Sequence, residues 1–220
     1  MEKYFPILKK CVLFDGIEED KLWVMLNCLG AKITEFDKKY TIVAEGKTPK
    51  LMGILLSGAA QINRCDYFGN RSIVSTIAPA DTFGEEFSCA QVDSIPVSVV
   101  ANSPCEVMFI DCSHILHTCH NNCAFHQKLI FNLMKNMAAK NVGYYNKLEI
   151  ISKRTTREKL IAYLSHCARK SQSNSFDIPF DRQELADYLE VERSGLSSEI
   201  GKLRDEGLII SEKKHFELLM

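Results

Sequence analysis

Two groups of residues have the types and spacing to do chemistry. In HILHTCHNNCAFH (residues 114–126), Cys119, Cys123 and His126 fall at i, i+4 and i+7, and His120 precedes Cys123 by three. On a helix this spacing gathers thiolate and imidazole donors on one face, a set suited to zinc, to haem iron or to thiol redox chemistry. The competing reading is a core face. The same stripe continues through Leu116 and Ile130, and Asn121 and Asn122 interrupt helical geometry. The second group is Glu192, Arg193, Ser194, Ser197 and Ser198, a guanidinium fork with short hydroxyls at the start of an amphipathic segment. A guanidinium fork can make paired hydrogen bonds to a planar acceptor edge, and short hydroxyls can donate or accept single ones. For catalysis there is no comparable group. The chain has no Gly-rich nucleotide loop, nucleophile elbow or HExxH motif, and its six histidines lack a matched carboxylate cluster, so an enzyme is not expected.

The chain that must position these groups has 220 residues, enough for two small domains each with its own core. A formal charge of −1 excludes a generically polycationic nucleic-acid binder, so a DNA-binding face has to be made by placement. The nine cysteines are scattered without CxxC pairs, which fits a reducing compartment. Apolar runs are short and MEKYFPILKK has no signal-peptide character, so a cytoplasmic protein without a membrane partner is expected.

EEDKLWVMLNCLG reads as a helix, and residues 20–110 then carry short β-branched and aromatic runs punctuated by Gly46, Gly58, Gly69 and Gly84. Evenly spaced strands of this kind predict a compact antiparallel barrel or jelly roll, with Phe68-Gly69-Asn70 as a hairpin tip. Residues 127–151 pass without proline and predict one long helix. On it Ile130, Leu133, Met137, Asn141, Tyr144, Leu148 and Ile151 form a stripe, read as a homodimer seam in which Asn141 sets register; packing on the chain's own barrel is the alternative.

Thr155 and Glu158 have the spacing of a capping box and start a second domain, followed by a polar SQSNS loop and IPF as a short extended piece. Next, Leu185, Ala186 and Leu189 mark one helix, Val191 a turn, and Leu196, Ile200 and Leu203 a second helix. Gly207 ends it, and LII, SEKKH and FELL give two strands around a charged turn. Helix, helix and hairpin at these lengths predict a winged helix-turn-helix that binds double-stranded DNA. Residues 153–220 hold twelve cationic and twelve anionic side chains, which limits non-specific affinity. Lys153, Arg154, Arg182, Lys202, Lys213 and Lys214 are the candidate phosphate contacts, with solvated surface charge as the competing reading.

The order barrel, long helix, winged helix-turn-helix resembles the cAMP receptor protein and fumarate-nitrate regulator (CRP/FNR) family of bacterial transcription regulators. FGEE (83–86), PCEVMFI (104–110), TTREKL (155–160) and DRQELADYLEVERSGLSSEIGKLRDEGLI (181–209) carry the likeness over nearly the whole chain. It implies an α+β protein with three parts. Residues 1–126 form a cyclic-nucleotide-binding-like barrel, 127–151 a dimerisation helix, and 152–220 the DNA-binding domain, with RNA polymerase as a partner. The resemblance also implies that the start of the second helix enters the major groove, which puts Glu192, Arg193, Ser194, Ser197 and Ser198 near base edges or phosphates, with Arg193 as the guanine contact; Ser198 stands where many relatives carry arginine.

Family members that bind cyclic AMP use a Gly-Glu turn for the ribose and a later Arg-Ser pair for the phosphate. Gly84 and Glu85 match the turn in GEEFSCAQVDSIPVSVVA (84–101), but Ile95 and Pro96 replace the pair, and Val97 follows. A phosphate enclosed there lacks its charge-assisted partner, which predicts loss of cyclic-nucleotide binding and a cradle that is an apolar pocket or is filled by side chains. Only Cys11 and Cys28 lie near the N-terminus, so an iron–sulfur cluster of the fumarate-nitrate regulator kind is not expected either. The resulting expectation is a homodimeric regulator of inverted-repeat operators under an unidentified small effector. The alternatives are a metal, haem or thiol sensor using Cys119, Cys123 and His126, and a ligand-binding or adaptor protein without DNA binding.

Overall fold

The computed structural model describes residues 2–116 and 124–219. Cys119, His120 and Cys123 lie outside the described residues. The chain divides into two compact units, one of Met1–Phe68 and Val74–Asn141, the other of Gly69–Ile73 and Val142–Met220. The division falls within the long helix.

The first unit opens with helix α1 (Phe5–Leu8) and helix α2 (Glu19–Cys28), the latter burying Leu22 and Leu26. Eight strands follow along the chain, of which the first three residues of β5 belong to the second unit: β1 (Lys32–Phe36), β2 (Thr41–Val43), β3 (Leu51–Ser57), β4 (Ala60–Cys65), β5 (Arg71–Ile77), β6 (Thr82–Phe83), β7 (Ser98–Ala101) and β8 (Cys105–Asp111). They form two four-stranded sheets, in the orders β1-β8-β3-β6 and β2-β7-β4-β5. Gly69, at φ +83°, turns the chain between β4 and β5.

β3 shows why LMGILLS is apolar on both faces. Met52, Ile54 and Leu56 alternate outward into a core shared with Leu22, Leu26, Leu129 and Leu133. Leu55 points the other way, into a core with Ile62, Phe83, Ile95, Val97, Val99 and Val107. A strand covered on both faces loses the polar alternation of a half-exposed one. Gly53 faces that second core because a Cβ there would lie 2.2 Å from the Phe83 ring. Helix α3 (Glu85–Ala90) follows β6, helix α4 (Cys112–Leu116) follows β8, and the long helix α5 spans Ala124–Ile151.

In the second unit, helix α6 (Thr156–Ser171) is capped by the reciprocal Thr155–Glu158 box. Strand β9 (Ser175–Asp177) sits just before the IPF stretch expected to be extended, because Phe176 and not Ile178 pairs with Phe216. Helix α7 (Arg182–Leu189), helix α8 (Arg193–Asp205) and strands β10 (Ile209–Glu212) and β11 (His215–Leu218) complete it, with sheet order β10-β11-β9. Leu160, Leu164, Leu185, Ala186, Leu189, Leu196, Leu203 and Phe216 form its core. No helix among the described residues is long and apolar enough to cross a membrane.

Candidate nucleic-acid interface and ligand cradle

The helix pair is set by its caps and by one small residue. The Asp181 carboxylate accepts from the Glu184 backbone N–H at 2.8 Å, and Glu184 accepts from the Asp181 N–H at 2.8 Å, which fixes where α7 starts. Ala186 is fully buried, so a second helix can cross at close range. Glu190 then takes a left-handed conformation at φ 54°, and the Val191 N–H donates to the Ala186 carbonyl at 3.1 Å, closing the turn.

Leu196, Ile200 and Leu203 anchor α8 in the core, which leaves Arg193, Ser194, Ser197 and Ser198 exposed together over its first two turns. Its N-cap, Glu192, makes no side-chain cap hydrogen bond, and its first turn carries no acidic residue. Backbone N–H donors at such an end attract phosphate. Arg193 makes no hydrogen bond or ion pair among the described residues, so its fork is available to an external acceptor.

The other cations differ in their commitments. Arg182 is half-buried; it donates to the Ser211 hydroxyl, its guanidinium lies 4.9 Å from the Phe216 ring centroid, and burial holds its pKa below the ordinary value. It fastens β10 and β11 to α7, a structural task that competes with the phosphate contact expected of it. Lys202 pairs with Glu199 at 2.6 Å, Lys214 donates to the Pro179 carbonyl at 2.6 Å, and Lys153 lies 3.9 Å from Glu149. Lys213 is exposed at the tip of the β10–β11 turn, with φ 50°.

The cradle is closed from within. Gly84 adopts φ +81° as the N-cap of α3 and delivers Glu85 to a fully buried position. Glu85 Oε1 accepts from the Thr82 hydroxyl at 2.6 Å, the Asn136 amide at 2.9 Å and the Lys140 ammonium at 2.6 Å. Lys140 also donates to the Thr82 carbonyl at 2.7 Å. Glu85 Oε2 and Glu86 Oε2 are buried without a hydrogen-bond partner among the described residues, and burial raises the pKa of Glu86. Ile95 and Val97 fill the core between the sheets, while Pro96 is exposed. The residues present do not fit a cyclic nucleotide: one oxygen of the carboxylate that would meet a ribose is engaged by Asn136 and Lys140 from α5, and Ile95 and Pro96 supply no cation for a phosphate. Neither Asn136 nor Lys140 was identifiable as a cradle residue from the sequence, since each is more than fifty residues from Glu85 along the chain.

Two further expectations concern α5, and one of them falls mostly outside the described residues. Of the four proposed metal ligands only His126 lies within the described residues; it is buried and its Nε2 is 2.7 Å from the Ile115 carbonyl, a structural hydrogen bond. Among the described residues no group of three or more His, Cys, Asp or Glu side chains is placed to hold a metal. Of the stripe assigned to a dimer seam, Leu133 is buried in its own unit, and Ile130 and Met137 pack against the same core. Asn141, Tyr144 and Leu148 are exposed. One helical step around, Phe131, Met134, Ala138, Asn141, Tyr145 and Leu148 are all exposed, spaced alternately three and four residues apart.

A cyclic nucleotide-binding domain model matches residues 33–122, and a Crp-like helix-turn-helix domain model matches residues 158–219. The transcriptional activator protein FnrL of Cereibacter sphaeroides is 22% identical over 189 residues, covering 79% of this chain and 71% of that protein. Among solved structures, FixK2 from Bradyrhizobium japonicum is 18% identical over 86% of this chain and 93% of its own, with TM-score 0.67. The c-di-GMP responsive global regulator CLP of Xanthomonas campestris is 13% identical over 90% of this chain and 99% of its own, with TM-score 0.74. The likeness to the solved structures is one of fold. With both domain models in the family's order and a sequence relative spanning both units, the chain belongs to the CRP/FNR family of DNA-binding transcription regulators.

Proposed function

We propose that the protein acts in the cytoplasm as a homodimer that reads an inverted-repeat operator through α8 and meets RNA polymerase there, under an effector other than a cyclic nucleotide. The observation that carries the reading is the exposed set Arg193, Ser194, Ser197 and Ser198 above the buried Leu196, Ile200 and Leu203. Arg193 contacts a guanine, the serines contact bases or phosphates, and Lys213 contacts the backbone from the wing. Two copies pair through the exposed heptad from Phe131 to Leu148, in which Asn141 sets register. The two-fold axis then presents two recognition helices to successive major grooves about 34 Å apart.

The internal occupation of Glu85 supports an effector other than a cyclic nucleotide. Selection of binding sites from random DNA by the full chain tests the reading. Recovery of an inverted repeat with half-site centres roughly ten base pairs apart is the expected result. A non-palindromic site, or no enrichment at all, would overturn it.

A further inference from the structure

The head of strand β5 is built into the second unit. Gly69 turns the chain at φ +83°, and Ile73 is fully buried in the same core as Leu185, Ala186 and Leu189 of α7. Lys147 donates to the Ile73 carbonyl, and its Nζ stands 4.5 Å from the ring centroid of Tyr188 on α7. Two residues before Ile73, Arg71 reaches Asp187 on α7, which is 116 positions along the chain. Arg71 Nε donates to Asp187 Oδ2 at 2.8 Å, and Nη2 lies 2.6 Å from the same oxygen. Asp187 Oδ1 accepts from the Gln183 amide at 2.8 Å, so both carboxylate oxygens are engaged.

We propose that Arg71 is a positioning residue of the DNA reader, which from β5 sets the rotation of α7 and so the placement of α8. The inference rests on α8 being the reading helix. Leu185, Ala186 and Leu189 anchor one face of α7 in the core. A helix held along one stripe can still roll about its axis, and Asp187 lies away from that stripe. A planar guanidinium with two donors on one carboxylate oxygen fixes that outer flank, which a single flexible ammonium does less well.

The second helix follows the first. Ala186 lets the two cross closely, and the Val191 N–H closes the turn on the Ala186 carbonyl. A roll of α7 therefore moves Arg193 and the serines at the start of α8. The Arg71 side chain is 41% exposed, so the pair adds little to global stability and its effect is on geometry. Beyond Ile73 the same strand continues through Val74–Ile77 in the first unit, so a residue far from the helix-turn-helix in sequence supports it.

The test measures the affinity of the full chain for the operator that the wild type selects, with a stoichiometric titration fixing the binding-competent fraction. A merely structural role would lower that fraction and leave the affinity of the competent protein unchanged. Arg71→Ala and Asp187→Ala are each expected to lose affinity on the order of tenfold, and the two together no more than either alone. Base preference and salt slope should stay those of the wild type, because Arg71 acts through α7. Unchanged or tighter binding, or additive losses, would overturn the proposal. A salt slope lowered by about one unit would also overturn it, by making Arg71 a phosphate contact.

Hydrogen exchange on the DNA-free chain decides the matter even if no operator is selected, a result that would sink the reading of α8 and leave the clamp standing. Arg71→Ala should speed exchange in α7 and at the start of α8 and leave α6 unchanged. Equal rates in the two proteins would overturn the clamp.

Discussion

The carboxylate of Glu85 and the ammonium of Lys140 lie 2.6 Å apart, with Glu85 fully buried and Lys140 three-quarters so. The pair joins the turn after Gly84 to the long helix and leaves one Glu85 oxygen unpartnered. A buried pair of this kind breaks even at best, but removing one partner strands a charge. Lys140→Met is expected to cost about 3–5 kcal/mol in denaturant unfolding. Glu85→Gln combined with Lys140→Met should cost clearly less than the sum of the single changes. Additive costs would mean that the pair does not stabilise the turn.

The same occupied carboxylate, with Ile95 in the core and Pro96 where a cation would be needed, predicts no saturable heat on calorimetric titration with millimolar cyclic AMP or cyclic GMP. A micromolar dissociation constant would show that Glu85 is released from Lys140 and that another cation has taken the phosphate.

The two neighbouring stripes of α5 are separable by mutation. Phe131→Glu with Met134→Glu places charges on side chains that are 65% and 64% exposed, so each unit stays folded while dimers dissociate, as light scattering would read. Leu133→Ala should instead cost about 2–5 kcal/mol in stability without changing the oligomeric state of the folded protein. Dimers that survive the double substitution would move the seam off this face.

Lys147 is buried within the second unit, where its Nζ donates to the Ile73 carbonyl and stands 4.5 Å from the Tyr188 ring centroid. Desolvation pushes its pKa down from 10.5 to about 8, partly offset by Glu190. Between those values the unfolded chain binds the proton and the folded one releases it, so this group makes stability rise with pH from about 8 to 10.5. Below about 8 it is charged in both states and contributes no slope. Relative to Lys147→Met, the wild-type protein should gain up to about 1.4 kcal/mol per pH unit across that window. Parallel stability curves for the two proteins would remove Lys147 as the cause.

The sequence made the local features legible. The Thr155–Glu158 box, the Gly84 turn and the Leu185 to Leu203 helix pair depend on residues near one another in the chain, and the structure has them in those roles. Features that depend on which of two neighbouring surfaces is covered were not legible. The Ile130–Leu133–Met137 and Phe131–Met134–Ala138 stripes have the same spacing and differ by one residue, and only the barrel decides which is buried. In the same way Arg182 looks like any cation beside a recognition helix until Phe216, thirty-four positions later, is folded beneath it.

If α8 reads DNA through Arg193, the Arg193→Ala chain loses affinity for the selected operator. The loss expected is about 1–3 kcal/mol, with relaxed preference at one position per half-site and an unchanged salt slope. Lys213→Ala, measured alongside, should weaken all sequences alike and flatten the salt dependence by about one unit for each phosphate that is no longer neutralised. An Arg193→Ala protein that keeps both the affinity and the motif of the wild type would show that α8 does not read DNA through Arg193.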